Sequence, residues 1–265
     1  MTSHVYGPVP SRRLGRSLGI DLVTSKSCSV NCVYCQIGSR EPLPPVRKRF
    51  FPPEEVEQQL AARVEKSREL DYITFSGSGE PTLSSDLGRI IRFAKGLNAA
   101  PVCVLTNGTL LGDPGVREEI APADLVVPNL DAGDEEVFRR VVRPHESIHF
   151  EDFLSGLTGF REFFEGELCL EVVLVKGMND SSESLERIAA AAEKIRPDGV
   201  WIGTVSRPPA EVIAKPVSEA VLEEARRIIG ESARIISHFK GISDGEVGSD
   251  IENEVIELIE RRPET

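Results

Sequence analysis

Three of the chain's five cysteines lie within eight residues, as Cys28-Ser-Val-Asn-Cys32-Val-Tyr-Cys35. Thiolates at this spacing are metal ligands, and an odd cysteine count without an apolar N-terminal signal argues against a disulfide framework. A structural zinc site and an iron–sulfur cubane both usually take four protein ligands. Three thiolates would bind three irons of a [4Fe–4S] cluster and leave the fourth iron open to a small chelating ligand. The spacing leaves a zinc site completed by a distant histidine as the alternative.

A second group of polar residues follows the predicted strands, at the points where these strands end. Because ligands gather at the carboxyl ends of parallel strands, we expect these side chains to face one site. They are the segment 76–81 (Ser-Gly-Ser-Gly-Glu-Pro), Thr106 and Asn107, Asn129 and Asp131, and Lys176. The glycines of the first segment would allow a close approach of backbone to a ligand.

Apolar runs alternate with helical patterns along the chain, which predicts parallel strands joined by right-handed crossovers. We predict strands over residues 19–23, 72–75, 102–105, 124–127, 168–175 and 200–202, with a further short strand over 233–237. Predicted helices cover 54–70, 84–97, 134–141, 150–160, 181–195 and 218–229. A full eight-unit barrel needs more chain, so we expect an α/β fold with a partial (β/α)6 TIM-like barrel. We place the barrel in residues 1–240, its cysteine loop in 24–40, and an acidic tail with a C-terminal capping helix in 241–265.

The spacing CxxxCxxC, with the aromatic Tyr34 before the last cysteine, resembles the signature of the radical S-adenosylmethionine (SAM) superfamily. The upstream segment 6–19, and Arg207-Pro-Pro after the sixth strand, resemble its Fe–S oxidoreductase branch related to the wyosine-forming, tRNA-guanosine-modifying enzymes. The resemblance covers nearly the whole chain. It implies an enzyme that cleaves SAM reductively at a [4Fe–4S] cluster, giving methionine and a 5′-deoxyadenosyl radical that takes hydrogen from a substrate.

The same resemblance implies a role for each matching residue. Cys28, Cys32 and Cys35 would bind the cluster. The segment 76–81 looks like the family's Gly-Gly-Glu-Pro element with Ser78 in place of a glycine, and its carbonyls would accept hydrogen bonds from the SAM ammonium. The full set of implied SAM contacts is Tyr34, Gly77, Ser78, Gly79, Glu80, Thr106, Asn107, Asn129, Asp131 and Lys176. An electron donor of the flavodoxin or ferredoxin type is implied as partner.

Charge is spread unevenly along the chain. The net charge is −12, which argues against coating a nucleic acid, whereas residues 1–50 hold eight Lys or Arg against two acidic residues. A local basic region can still bind an anionic substrate, small or nucleotide-like. We name Arg12, Arg13, Arg143 and Arg207 as possible substrate contacts. No apolar stretch is long enough to span a bilayer, so we expect a cytoplasmic protein without a membrane partner.

Several alternatives stay open at this stage. A chain of this size also suits an activating enzyme that installs a glycyl radical on a partner protein, and a zinc-binding module is the third possibility. His145-Glu-Ser-Ile-His149 matches the H-E-x-x-H zincin pattern, but the apolar helical spacing begins only at Phe150. Cys103 and Cys169 lie within predicted strands, where we expect core residues. No cysteine precedes Cys28, whereas the wyosine-forming relatives use a second cluster with further upstream cysteines.

Overall fold

The computed structural model describes residues 3–67 and 69–236 and contains one eight-stranded sheet. The sheet runs in the order of the chain from β1 to β8, and every pair except β1–β2 is parallel. The strands are β1 Val5–Ser11, β2 Gly15–Ile20, β3 Tyr72–Phe75, β4 Val102–Thr106, β5 Leu125–Pro128, β6 Glu167–Leu174, β7 Gly199–Thr204 and β8 Ala233–Ile235.

Helices connect the parallel strands. They are α1 Pro53–Lys66, α2 Leu87–Gly96, α3 Pro114–Ile120, α4 Glu135–Val137, α5 Phe150–Phe163, α6 Ser182–Ile195 and α7 Glu219–Ile229. A 3₁₀ turn, Pro81–Leu83, precedes α2, and a π-helical turn, Phe138–Val142, follows α4. Strands β2 to β7 are each followed by helix, so the structure confirms six strand–helix units and the predicted TIM-like partial barrel.

The sheet buries both of its faces. Leu168, Leu170, Val172 and Leu174 of β6 pack into the main hydrophobic core together with residues of the surrounding helices. A second, smaller cluster of buried residues comprises Leu14, Cys103, Leu125, Val127, Cys169 and Trp201. Because side chains alternate along a strand, the odd-numbered residues of β6 face the barrel interior. Cys103 and Cys169 are therefore core residues, as predicted, and take no part in the cysteine loop.

Two elements were missed from the sequence. Strand β1 contains Pro8 and Pro10, and proline within an apolar run speaks against a strand except at a sheet edge, which is where β1 lies. Helix α3 has only seven residues, too few to show a clear apolar period. Its start is nonetheless encoded, because Asp113 accepts hydrogen bonds from the N–H groups of Gly115 and Val116, and Pro114 occupies the first helical position.

The turn between β1 and β2 reaches into the barrel. Leu14, 3% exposed, belongs to the inner cluster of buried residues. Arg13 forms an ion pair with Glu171, an inward-facing residue of β6. Arg12 donates a hydrogen bond to Ser206 Oγ at 2.7 Å, so the turn also contacts the segment after β7. This hairpin thus ties the first strands of the sheet to its last ones.

The predicted C-terminal helix and acidic tail lie outside the described residues, and the division at residue 240 stays a prediction. In the part of the chain that the structure describes, no helix has the length and hydropathy required to cross a membrane.

Candidate functional site

The three cysteines of the loop after β2 line one cavity of about 310 Å³. The cavity also takes in the ends of β3, β4 and β5, so the carboxyl ends of the strands meet there, as the sequence predicts. Burial raises the pKa of the Cys28 thiol to about 12 and raises those of Cys32 and Cys35. A bound metal reverses this preference, because a coordinating thiol loses its proton.

These thiols suit a multinuclear cluster better than a single ion. Each cysteine of a cubane binds a different iron, so the sulfurs are spread around the cluster, whereas a zinc ion draws all of its ligands to one point. Within residues 3–67 and 69–236, no three His, Cys, Asp or Glu side chains are grouped as ligands of one ion. The cysteine loop brings three thiols to one cavity, which is the type of donor that a [4Fe–4S] cluster takes, and the assignment of Cys28, Cys32 and Cys35 as its ligands stays a prediction.

Backbone hydrogen bonds dock the cysteine loop on the glycine segment. Lys26 N donates to Ser78 O at 2.6 Å, and Glu80 N donates to Ser27 O at 2.8 Å. Gly79 is required at this contact, since a Cβ there would lie 2.1 Å from Ser27 O. Gly77 has φ +151°, and its Cβ would meet the Asp21 carboxylate at 2.4 Å. Gly79 thus lets the two backbones approach at the cavity wall, and Gly77 leaves room for the Asp21 side chain.

The Glu80 side chain braces this segment against the next strand. Its carboxylate, in a residue only 2% exposed, accepts hydrogen bonds from four donors. These donors are Thr82 N at 3.0 Å, Thr82 Oγ1 at 2.7 Å, Thr106 Oγ1 at 2.6 Å and Asn107 N at 2.6 Å. Burial raises the pKa of Glu80, and these bonds oppose the rise. The Glu80 carboxylate is therefore fully engaged by groups of the protein.

Asn107 contacts the cysteine loop directly. Its Nδ2 lies 3.0 Å from Ser29 Oγ and 3.5 Å from Cys28 Sγ. Its neighbour Thr106 is buried and uses its hydroxyl on Glu80. Both residues line the cavity, and their predicted contact with SAM stays a prediction.

Tyr34 links the cysteine loop to the opposite side of the barrel. Its hydroxyl donates a hydrogen bond to Asp131, and Asp131 Oδ1 accepts another from Val173 N at 2.7 Å. Asn129 Nδ2 lies 3.5 Å from the same hydroxyl. Burial raises the pKa of Asp131 to about 7, while the hydrogen bond from Tyr34 lowers it. Asp131 thus anchors the loop and the β6 backbone.

The structure brings most of the predicted site residues to the cavity, but not all. The lining includes Tyr34, Gly77, Ser78, Gly79, Glu80, Thr106, Asn107, Asn129, Arg12, Arg13 and Arg207. Asp131 is buried and bonded to Tyr34 and Val173, and it is not part of the cavity lining. Lys176 is exposed beyond the end of β6, and Arg143 forms an ion pair with Glu211 at 2.9 Å. Neither cation is part of the cavity lining.

Other lining residues were missed by sequence reasoning. Glu171 carries the clearest signal, because it is a charged residue inside the apolar strand β6. Gln36 accepts a hydrogen bond from Arg207 at 2.6 Å and thereby joins the cysteine loop to the segment after β7. Lys26 and Arg40 flank the cysteines and line the cavity. They belong to no periodic sequence pattern, so the sequence did not predict that they line it.

The H-E-x-x-H segment does not form a zinc site. Residues 145–149 precede α5, which begins at Phe150, so the two histidines do not share a helical face. His145 Nδ1 lies 2.9 Å from Ser147 Oγ, and His149 Nδ1 lies 3.2 Å from Arg139 Nη2. The N-cap position of α5 is occupied by His149.

Comparison with known proteins decides the family. The family profile described as "Radical SAM superfamily" matches residues 22–201, which include the cysteine loop and strands β3 to β6. This chain belongs to the radical SAM superfamily. Membership confirms the predicted cofactors, a [4Fe–4S] cluster and SAM. The predicted relation to the wyosine-forming enzymes stays a prediction.

Individual relatives of this radical SAM protein extend the match. It is 33% identical over 243 residues to "UPF0026 protein MJ1312" of Methanocaldococcus jannaschii, covering 89% of this chain and 75% of that protein. It is 39% identical over its full length to a protein named "GTPase Obg" of Brachyspira hyodysenteriae, of which it spans only 39%. The present sequence contains no Gly-Lys pair and hence no GxxxxGK[ST] phosphate loop.

Solved structures support the fold. A radical SAM methyltransferase from Sphaerobacter thermophilus superimposes with a TM-score of 0.64 at 18% identity, covering 86% of this chain and 67% of that one. At this identity the likeness concerns the fold alone, and it agrees with the partial barrel described above.

The buried Asp131 predicts a pH dependence of stability for this radical SAM protein. With its pKa raised to about 7, the folded state holds a proton between pH 4 and 7 that the unfolded chain releases. The stabilisation that this proton gives the folded state is fully present below the ordinary aspartate pKa and is lost as pH rises through 7. Relative to Asp131→Asn, we expect the wild-type free energy of unfolding to fall by up to about 1.4 kcal/mol per pH unit across this range. Urea denaturation at successive pH values measures it, and parallel curves for the two proteins would contradict it.

Proposed function

We propose that this chain is an enzyme that binds SAM at a [4Fe–4S] cluster held by Cys28, Cys32 and Cys35, and cleaves it to start hydrogen abstraction from an anionic substrate. The observation that carries the proposal is the docking of the cysteine loop on the glycine segment. The two segments share one cavity and are held together by the Lys26–Ser78 and Glu80–Ser27 backbone bonds.

The residues around the cavity have distinct tasks in this proposal. When bound, the cluster and SAM supply the electron transfer and the radical that the protein itself lacks. Backbone carbonyls of the segment 76–81 would accept hydrogen bonds from the SAM ammonium, and Glu80 fixes the position of this segment through Thr106 and Asn107. Leu105, Val173 and Val205 provide the apolar part of the lining, which excludes water from the reacting groups.

Basic side chains around the cavity support an anionic substrate. Arg12, Arg13, Lys26, Arg40 and Arg207 all line it, in a chain whose net charge is −12. Guanidinium groups bind phosphate and carboxylate oxygens in bidentate geometry, so several of them around one opening favour such a ligand. We include nucleotide-like compounds and an anionic segment of a macromolecule in this class. Arg143 contributes only through its ion pair with Glu211.

Two other functions are the alternatives to this proposal. An activating enzyme would transfer the radical to a glycine of a partner protein, and it would require that polypeptide rather than a small molecule in the assay. A zinc-binding module would instead give a colourless protein without SAM cleavage, whereas a protein with an iron–sulfur cubane is brown. We propose a flavodoxin or ferredoxin as electron donor and the cytoplasm as location.

The reaction class is tested by SAM cleavage. Protein reconstituted with iron and sulfide without oxygen, then given SAM and dithionite, is expected to release 5′-deoxyadenosine, which mass spectrometry quantifies. The triple variant Cys28/Cys32/Cys35→Ala is expected to release none, since it cannot hold the cluster. The matched control Cys103/Cys169→Ala removes only core thiols and is expected to stay active. A cluster-loaded protein that neither binds nor cleaves SAM would contradict the proposal.

The substrate class is tested with tripolyphosphate as probe. Arg207→Ala is expected to weaken its binding to the reconstituted protein by about tenfold, the value of one charge-assisted contact. The matched control Arg92→Ala removes an exposed arginine of α2 and is expected to change nothing. Isothermal titration calorimetry measures both, with SAM binding as a check that the cavity is intact. Equal affinities in all three proteins would remove Arg207 from the substrate site.

A further inference from the structure

The side chain of Asn107 is held in one orientation by its neighbours. Its Oδ1 accepts hydrogen bonds from Thr109 N at 2.9 Å and Thr109 Oγ1 at 2.8 Å. The amide oxygen therefore faces Thr109, and the amide nitrogen must face the opposite way, toward the cysteine loop. There Nδ2 donates to Ser29 Oγ at 3.0 Å.

Counting protons along these contacts gives a closed ring. The Thr109 hydroxyl proton is used on Asn107, so the Ser29 hydroxyl must be the donor in its 2.8 Å contact with Thr109. Ser29 in turn accepts one of the two Nδ2 protons of Asn107. One Nδ2 proton is left, and the atom within its reach is Cys28 Sγ at 3.5 Å. Because Ser29 is fully buried, the hydrogen bonds of the ring keep the donor and acceptor roles described above.

We propose that Asn107 sets the reduction potential of the cluster by donating this N–H to the Cys28 sulfur. It is a positioning residue that acts through Cys28, whereas the sequence suggested a SAM contact. The inference rests on the proposed function, since it requires the cluster at this loop. It assigns a task to Asn107 that SAM binding does not need.

The direction of the effect follows from charge. Reduction adds one electron to the cluster, and part of the added negative charge lies on the sulfur ligands. A hydrogen bond to a sulfur stabilises that charge, so it stabilises the reduced state more than the oxidised one. Asn107 therefore raises the potential and makes the first step, entry of one electron from an external donor, easier.

The other two cysteines have different surroundings, and Cys32 has the Tyr34 side chain as its hydrogen-bond partner. Lys26 lies near Cys35 and favours its thiolate, and the backbone N–H groups of Ile37 and Gly38 point to the same sulfur. Cys28 has the Val30 backbone and the Asn107 side chain. Asn107 is thus a neutral side-chain donor to Cys28 that a single substitution can remove without changing the charge of the loop.

The test is a potentiometric titration of the reconstituted protein, followed by the electron paramagnetic resonance signal of the reduced cluster, without SAM. In Asn107→Ala the ratio of reduced to oxidised cluster at a given potential is expected to fall by about tenfold, which corresponds to 59 mV for one electron. In Asn107→Asp the fall is expected to be larger, because a carboxylate oxygen replaces the donor. Asn107→Asp keeps the size of the side chain and the acceptor for Thr109, so it serves where Asn107→Ala loads no cluster.

Thr109→Val is the matched control. It removes a hydroxyl from the ring, but the Thr109 backbone N–H still orients Asn107 toward Cys28, so the potential is expected to stay near the wild-type value. Unchanged potentials in cluster-loaded Asn107→Ala or Asn107→Asp would overturn the inference, as would an equal shift in Thr109→Val. A wild-type protein that binds no cluster would instead contradict the proposed function.

Discussion

The buried carboxylate of Glu80 is the interaction on which the site depends. It accepts four hydrogen bonds and so fixes the end of β3 to the end of β4. The glycine segment is positioned by this contact, and the cysteine loop is docked on the glycine segment by backbone bonds. An unpaired carboxylate at this depth would cost several kcal/mol, so the donors and the acceptor must be in place together. Glu80 thereby determines where the thiols of the cysteine loop and the backbone carbonyls of the glycine segment meet.

A second anchor of the cysteine loop lies on the other side of the cavity. Tyr34, inside the cysteine motif, is bonded to Asp131, which in turn holds the backbone of β6 through Val173. The cysteine loop is consequently held before Cys28 and before Cys35, and between these points its backbone bonds to residues 141–145. A loop of this length without regular structure gains order only from such contacts, since its own backbone forms few internal bonds.

Much of this could be predicted from the sequence. The apolar runs predicted β3 with its full bounds, because a buried parallel strand has a continuous apolar pattern. The cysteine spacing predicted the cluster loop, since no other arrangement of ligands was as dense. Local pattern could not predict the inward turn at Arg13 and Leu14, which depends on contacts with β6 far away in the chain. For the same reason, local pattern could not show that the polar residues have different roles. Glu80, Thr106 and Asp131 mainly hold neighbouring segments of the protein together, whereas Arg12, Arg13 and Arg207 line the opening of the cavity.

In the proposed function, three cysteines hold a cluster whose fourth iron binds SAM. Electron–nuclear double resonance on the reduced, reconstituted protein tests it most directly, with SAM carrying ¹⁷O in its carboxylate and ¹⁵N in its amino group. Both labels are expected to couple to the electron spin of the cluster, because both groups would be bound to the open iron. A reduced cluster whose spectrum shows no coupling to either label, at SAM concentrations that saturate the protein, would contradict it.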